Sequence, residues 1–458
     1  MKMSRLLIAA VVLAGLAGVL WWSNKSEDAK AKNPAKDSKD APPKVLALNE
    51  ADIRQVEIKK GDGAGTNAGS IIDTIVKKDD SGKWSIVAPN SVPADQAAVG
   101  GVTSAVTNLT AERIVDDHAT DLLSYGLQPA VIEVDFTMKD GRINKLLLGD
   151  DTPTKNGVYA MAGGDPRLFI LSTFNKGNFD KATKDLRDKR MMTFDQDKIS
   201  RVELAVKKQN LEFGRVNQND WQILKPKPLR ADGWQVEELV RKVKDANMDT
   251  SVSDEDLKKA AAAFATAAPV ATVKVTEAAG TQTLEVRKAK DDYYAKSSVV
   301  EGVHKVTKDL GEGVDKSLDD FRNKKLFDFA FSDPTKIEFK DGPATTTLEK
   351  SGDKWMSAGK AMDSTSIQAF IDKLRDLAAT KFADSGFTTP AIELAVVSND
   401  GKRTEKVQIS AAGDKFIARR QGEDALYQLD ASPVKDLRDA AAGVTAAQSP
   451  APTPPGKK

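Results

Sequence analysis

Few residues in this chain have the types and spacing that chemistry requires. Asp116, Asp117, His118 and Asp121 form its densest group of candidate metal ligands. They lack the alternating oxygen ligands and terminal bidentate glutamate of an EF-hand, so the group reads as an exposed acidic turn at a helix end. Gly63-Ala64-Gly65-Thr66-Asn67-Ala68 fits a glycine-rich nucleotide fingerprint in form only. Such a loop binds phosphate when it joins a strand to a helix N-terminus. Here a second strand, Ile71 to Lys77, follows instead, and a hairpin loop is the expectation. No P-loop with its lysine occurs, so the chain itself is not an ATPase. Cysteine is absent, which excludes disulfides, thiolate metal sites, cysteine nucleophiles and a lipobox anchor. Only two histidines occur, His118 and His304, and most hydrolytic triads and catalytic zinc sites need at least one well-placed histidine, so this scarcity weighs against an enzyme. His304 reads as part of a surface strand. The expectation is a non-enzymatic protein with no catalytic residue, no cofactor and no metal.

The polar positions with the strongest claim to function are basic. Arg187, Lys189 and Arg190 recur at the matching point of a second copy as Arg322, Lys324 and Lys325. One reading is a basic ledge for an anionic ligand or a partner's carboxylates. The favoured reading ties each closing helix to the next module's first strand, because arginine suits planar, multi-donor contacts at interfaces.

These residues must be held by elements that repeat. Three times a tryptophan on a short strand is followed closely by an aspartate: Trp84 by Asp95, Trp221 by Asp232, Trp355 by Asp363. Behind each aspartate, apolar residues fall at helical spacing. They are Val99, Val102, Val106 and Leu109; then Val236, Leu239, Val243 and Ala246; then Ile367, Phe370, Leu374 and Leu377. The aspartates suit a helix N-cap, where a carboxylate accepts from free backbone N–H groups. The tryptophans are expected to lie across the helices that follow, as the largest blocks of each core.

Alternating strands precede each tryptophan, beginning at Ile53, Ile199 and Lys336, and further strand signals follow each helix. Each copy closes with a helix ending in a basic step, Leu437-Arg438-Asp439 being a shortened third version. The fold class expected is α+β: tandem repeats of an antiparallel sheet with helices on one face. Module boundaries fall at 45–195, 196–332 and a shortened 333–442, with a disordered tail from 443 to 458. At 458 residues the chain has room for about three such domains. With 68 basic and 67 acidic side chains it has no bias toward nucleic acid.

The N-terminus bears on compartment. Lys2 and Arg5 precede an uncharged run from Leu6 to Trp22. As a helix this spans roughly 25 Å, near the lower limit for a bilayer core. A cleaved signal peptide competes with an uncleaved anchor, and Trp21-Trp22 at the far interface favours the anchor. Residues 1–22 are therefore expected to be a transmembrane helix in a bacterial inner membrane, with the bulk of the chain in the periplasm. Residues 23–44, with six lysines against four acids, read as a disordered linker of about 26 Å mean span.

The residues assembled so far resemble a bacterial family, domain of unknown function 4340. The resemblance rests on Trp84 with Pro89, Pro93-Ala94-Asp95, Tyr125-Gly126-Leu127-Gln128-Pro129, Tyr159-Ala160 and Leu186-Arg187-Asp188-Lys189-Arg190. The second copy departs at the glycine step, with Phe264-Ala265-Thr266-Ala267-Ala268-Pro269. The third keeps Gly386-Phe387 and Pro390. This resemblance implies an envelope protein of the kind found beside ABC-type, gliding-motility-like transport components, with protein partners there. It transfers no catalytic residues. The alternatives are a periplasmic binding module for glycan or peptide and, less favoured, a carboxylate-based hydrolase.

Overall fold

The computed structural model describes residues 42–60, 72–217, 220–250, 254–330 and 333–447. The expected signal anchor, all but the end of the linker, and the glycine loop at 63–68 lie outside these residues. Among the described residues no helix is long and apolar enough to cross a membrane. The chain divides into two compact units, 1–189 and 190–458.

The first unit is built on one nine-stranded antiparallel sheet. After a short β1 (Lys44–Leu46) come β2 (Ile53–Lys60), β3 (Ile72–Lys78), β4 (Trp84–Ala88) and β5 (Val92–Pro93). Helix α1 (Gln96–Ala105), β6 (Leu109–Thr110) and β7 (Arg113–Asp116) follow. The sheet then resumes with β8 (Ile132–Met138), β9 (Ile143–Asp151), β10 (Gly157–Ala162) and β11 (Leu168–Ser172), and α2 (Thr173–Phe179) and α3 (Thr183–Leu186) close the unit. Spatial order is β5-β4-β3-β2-β8-β9-β10-β11-β7, two meanders joined through their first strands. Alternation fixes the register: Val56 faces Phe136 and Ile58 faces Val134, all buried beneath the helices. A one-residue slip would turn this whole apolar set toward solvent. Strand β1 pairs with β6, so Lys44, the last residue assigned to the linker, already belongs to the fold.

The second unit repeats this plan twice. Its first sheet has β12 (Ile199–Val206), β13 (Gln209–Arg215), β14 (Trp221–Lys225) and β15 (Leu229–Arg230), then α4 (Gly233–Lys244) and α5 (Asp254–Thr266). It resumes with β16 (Ala268–Glu277), β17 (Gly280–Ala289), β18 (Asp292–Ser297) and β19 (Val303–Val306), closing on α6 (Lys308–Val314) and α7 (Leu318–Phe321). The next sheet has β20 (Lys336–Asp341), β21 (Ala344–Ser351), β22 (Lys354–Ser357), β23 (Lys360–Ala361), α8 (Ser364–Asp376) and β24 (Lys381–Ala383). It ends with β25 (Ile392–Ser398), β26 (Arg403–Ala412), β27 (Lys415–Arg420), β28 (Leu426–Leu429) and α9 (Ala431–Ala442). The central pairs are again first strands, β12 with β16 and β20 with β25. Mostly antiparallel sheets with some helices, roughly α+β, is the observed class, as expected.

The helices form where the sequence pattern places them. All twelve apolar positions following the three aspartates are buried, none more than 3% exposed. In α4, Val236, Leu239, Val240 and Val243 make one stripe, and Arg241, Lys242 and Lys244 in the last turn oppose the helix dipole. Asp95 accepts from the Ala97 and Ala98 amides, Asp232 from Gln235, and Asp363 from Ser366. Replacing any of the three caps by alanine should cost about 1 kcal/mol, read as a shift in unfolding midpoint. Equal losses at all three would match their shared geometry, and a null effect at one would break the equivalence.

Several local expectations need correction. His304 is buried at 3% exposure, with Nε2 2.9 Å from the Glu301 carbonyl, because its side of β19 faces the core beside Ala295. The acidic group at 116–121 is not a helix end: Asp116 finishes β7, and its carboxylate accepts from the His118 amide. The basic steps are extended backbone after a one-turn helix, not helix C-termini. Leu437-Arg438-Asp439 lies inside α9 and is not a third basic step. The equivalent segment is Thr445-Ala446, which docks on Met362 and Asp363, so residues 443–447 are part of the fold rather than of a tail.

The glycine step has a physical reason. Gly126 and Gly386 both hold left-handed φ, +65° and +104°, which side chains with a Cβ disfavour. A Cβ on Gly126 would also meet Asp150 at 2.7 Å. The second copy, lacking that glycine, has α5 instead, a helix that the strand-and-turn pattern does not reveal.

Candidate functional site

Each sheet has one face under its helices and one turned away from them. On the open face, equivalent positions along the central strands bear a glutamate in every copy: Glu57, Glu203 and Glu338. Around each stands a lattice of charge. In the first sheet, Lys59 Nζ lies 3.2 Å from Glu133 and 3.0 Å from Asp135, and Lys145 lies 2.7 Å from Glu133 and 3.3 Å from Asp135. The third sheet repeats the cross-strand pair, with Lys340 2.9 Å from Glu393. In the second, Glu212 is held between Lys225 at 2.6 Å and Arg201 at 3.2 Å.

These ladders shift their members' acidity. Burial pushes the Glu133 carboxyl up, but hydrogen bonds from Lys145 and Lys59 outweigh it and hold it below the ordinary glutamate value. Lys145 is raised, chiefly by its bond to Glu133. A depressed carboxyl stabilises the fold above the unfolded pKa and loses that contribution as pH falls through the folded value. The expected window thus lies below the ordinary glutamate value of 4.5. Glu133→Gln should lessen the fall in melting temperature between pH 6 and pH 3, by the equivalent of about 0.5–1 kcal/mol. Parallel pH profiles for wild type and variant would contradict this.

The open faces are not equally bare. In the first unit, Leu127, Met161 and Leu168 form a small buried cluster with Tyr125 and Tyr159, whose rings are 4.8 Å apart. In the second sheet Phe264 of α5 lies beneath the Arg287 guanidinium at 4.7 Å. The third sheet has a trough of about 830 Å³ over its central strands, against about 280 Å³ in the second.

The six basic candidates are not gathered into one ledge. Arg187 is half-buried and bridges by backbone to Ala94, while the Asp188 amide donates to the Pro93 carbonyl at 2.9 Å. Lys189 is half-buried and ends the first unit. Arg190 is exposed, its backbone bridging to Asn247. Arg322 sits 3.3 Å over the Phe382 ring and pairs with Asp319 at 3.0 Å. The Lys324 carbonyl accepts from the Ala379 amide, and Lys325 bridges to Ala378. Backbone bridges thus join these segments to the strand before each module's own helix and to the end of the next module's helix.

The strongest polar cluster has no signature in the sequence. Arg230 donates to Glu423 at 2.9 Å, to both oxygens of Asp328 at 2.8 and 2.6 Å, and to the Lys325 carbonyl at 2.6 Å. Arg420 joins Glu405 and Glu423, each at 3.0 Å, and the Leu326 carbonyl. Burial works against the Arg230 charge, but Asp328, Tyr427 and Glu423 outweigh it and raise its pKa. Burial raises the Tyr427 hydroxyl as well. This cluster clamps β15 of one sheet to β28 of the next. Its members come from distant stretches of chain, beyond the reach of any local pattern.

The indoles complete the repeat. Trp84 and Trp221 are 5% exposed, each opposite a basic residue of the preceding strand. Lys78 lies 5.4 Å from the Trp84 ring and Arg215 4.7 Å from that of Trp221. Trp355 occupies the same strand position opposite Lys350 but is only half-buried.

Three antiparallel sheets built on one strand plan, each with helices over its core face, define a tandem-repeat protein. The family described as Domain of unknown function (DUF4340) matches residues 84–220 and again 221–395. The chain belongs to that family. Both matches begin at an indole strand, Trp84 and Trp221, so the family unit is offset from the sheets themselves. No curated protein matches the chain.

Proposed function

We propose that this is a non-enzymatic, membrane-anchored protein of the bacterial cell envelope that offers its open sheet faces to protein partners. In this reading residues 1–22 anchor it in the inner membrane and the repeats extend into the periplasm. The partners are components of an ABC-type, gliding-motility-like transport system, for which it acts as an auxiliary or scaffold. The observation that carries the reading is the charged lattice repeated around Glu57, Glu203 and Glu338. Repetition of one exposed pattern suits contact along a surface, whereas catalysis needs a single convergent site. Mild crosslinking followed by affinity purification from membranes tests it. Recovery of transport or envelope components is the expected result, and recovery of none would overturn it. N-terminal sequencing of the mature chain separates an anchor from a cleaved signal. The trough on the third sheet favours a second reading, a binding module for peptide or glycan.

A further inference from the structure

The three copies can be compared along one row of the open face. In the first sheet the row reads Glu57, Asp135, Lys145; in the second Glu203, Lys274, Thr283; in the third Glu338, Ala395, Lys406. The middle position carries a charge in two copies, and each charge has a use. Asp135 pairs with Lys145 at 3.3 Å, and Lys274 lies 3.8 Å from Glu203. In the third copy an alanine stands there, and the trough opens above it, lined by Glu338, Ala395 and Lys406.

The alanine leaves Lys406 without the acid that its counterpart Lys145 has. The other acid that Lys145 uses is Glu133, and its counterpart Glu393 is already engaged by Lys340 at 2.9 Å. Lys406 is exposed and has no ion-pair partner among the described residues. Two strands away, Glu338 lies on the other side of the alanine, with Lys336 at 3.1 Å. The neighbouring row is closed: Lys340 bonds Glu393, and Arg419 bonds Gln408 at 2.9 Å and stacks on Phe387. The gap is therefore confined to one row, with a cation at one end and an anion at the other.

We infer that this trough binds a short extended peptide bearing an acidic side chain at Lys406 and a basic one at Glu338. Two inter-strand spacings separate those residues, roughly 10 Å, which is about three residues of a polyproline-II-like extended chain, whose three-residue turn puts positions i and i+3 on one side. The ligand's carboxylate takes the place that Asp135 fills in the first copy. Charge complementarity selects against uncharged chains, chiefly at Lys406, which would otherwise lose solvation without a partner, whereas Glu338 keeps Lys336. This deepens the binding-module reading and does not depend on the transport partner.

The test is fluorescence anisotropy with the full-length protein and a labelled hexapeptide carrying lysine and glutamate three positions apart. Saturable binding is expected, and a peptide with both charges neutralised should bind about tenfold more weakly. Ala395→Asp restores the first copy's arrangement and should weaken binding by about tenfold with an unchanged melting temperature. Lys406→Glu should abolish binding of this peptide yet bind one whose glutamate is replaced by lysine. Absence of saturation in the wild type, equal affinity in both variants, or preference for a neutral oligosaccharide would each overturn the inference. Failure here would leave the envelope-docking reading standing, because that rests on crosslinked partners. Failure of the crosslinking test would likewise leave this site untouched.

Discussion

Trp221→Ala is expected to destabilise the second unit by about 3–5 kcal/mol, the range for removing a large buried aromatic. The ring is 5% exposed, Nε1 donates to Glu237 at 2.7 Å, and Arg215 lies across its face while pairing with Glu237 at 2.7 Å. Burial pushes Glu237 up, but bonds from Trp221, Gln196 and Arg215 hold it below the ordinary value. Removing the indole thus opens a cavity and strips one donor from a half-buried carboxylate. Trp355→Ala should cost only about 1–2 kcal/mol, because that ring is half-buried and less area returns to water. Hydrogen exchange at the central strands of each sheet reads these losses locally, which matters where several modules unfold separately. Equal losses at the two positions would contradict the burial difference.

Arg230→Ala is expected to cost about 3 kcal/mol, as removal of one partner from a mostly buried ion cluster leaves the others uncompensated. Asp328, Glu423 and the Lys325 carbonyl would each lose a donor, and the loss should appear at the junction between the unit's two sheets. The Asp328 amide, which donates to Glu405 at 3.0 Å, is the local reporter for hydrogen exchange. A loss below about 1 kcal/mol would instead place the cluster with solvent-screened surface pairs.

The parts of this molecule that are legible in sequence are those set by local periodicity. The strand–tryptophan–aspartate–helix order, the N-caps and the helix stripes depend on neighbouring stretches of chain, so spacing alone reveals them. Strand order does not follow from spacing, because the pairing of β2 with β8 joins segments with a helix and five strands between them. Without it, the alternate charges of Lys59, Glu133 and Asp135 cannot be seen as one lattice. His304 misleads for the same reason: alternation says that a residue points to one of two faces, and only the partner strand says which is core. Helix α5 escapes notice because alanine-rich segments carry weak periodicity, while the expected glycine step suggests a loop. The basic steps are visible as a repeat, yet the bridges at Ala94, Asn247, Ala231 and Ala378 are made by backbone, on which side-chain identity is silent. Gliding-motility partnership rests on the family resemblance and inner-membrane anchoring on residues 1–22, and both stand as proposals.

The most direct test of contact through the open faces is site-specific photo-crosslinking in cells. A photoreactive residue is placed at Glu57, Glu203 or Glu338 on the open faces, and at Arg241 on the exposed side of α4 as a control. Envelope proteins are expected to be trapped from the open-face positions, and little from the helix control. Trapping from the helix side alone, or from none of the positions, would contradict such contact.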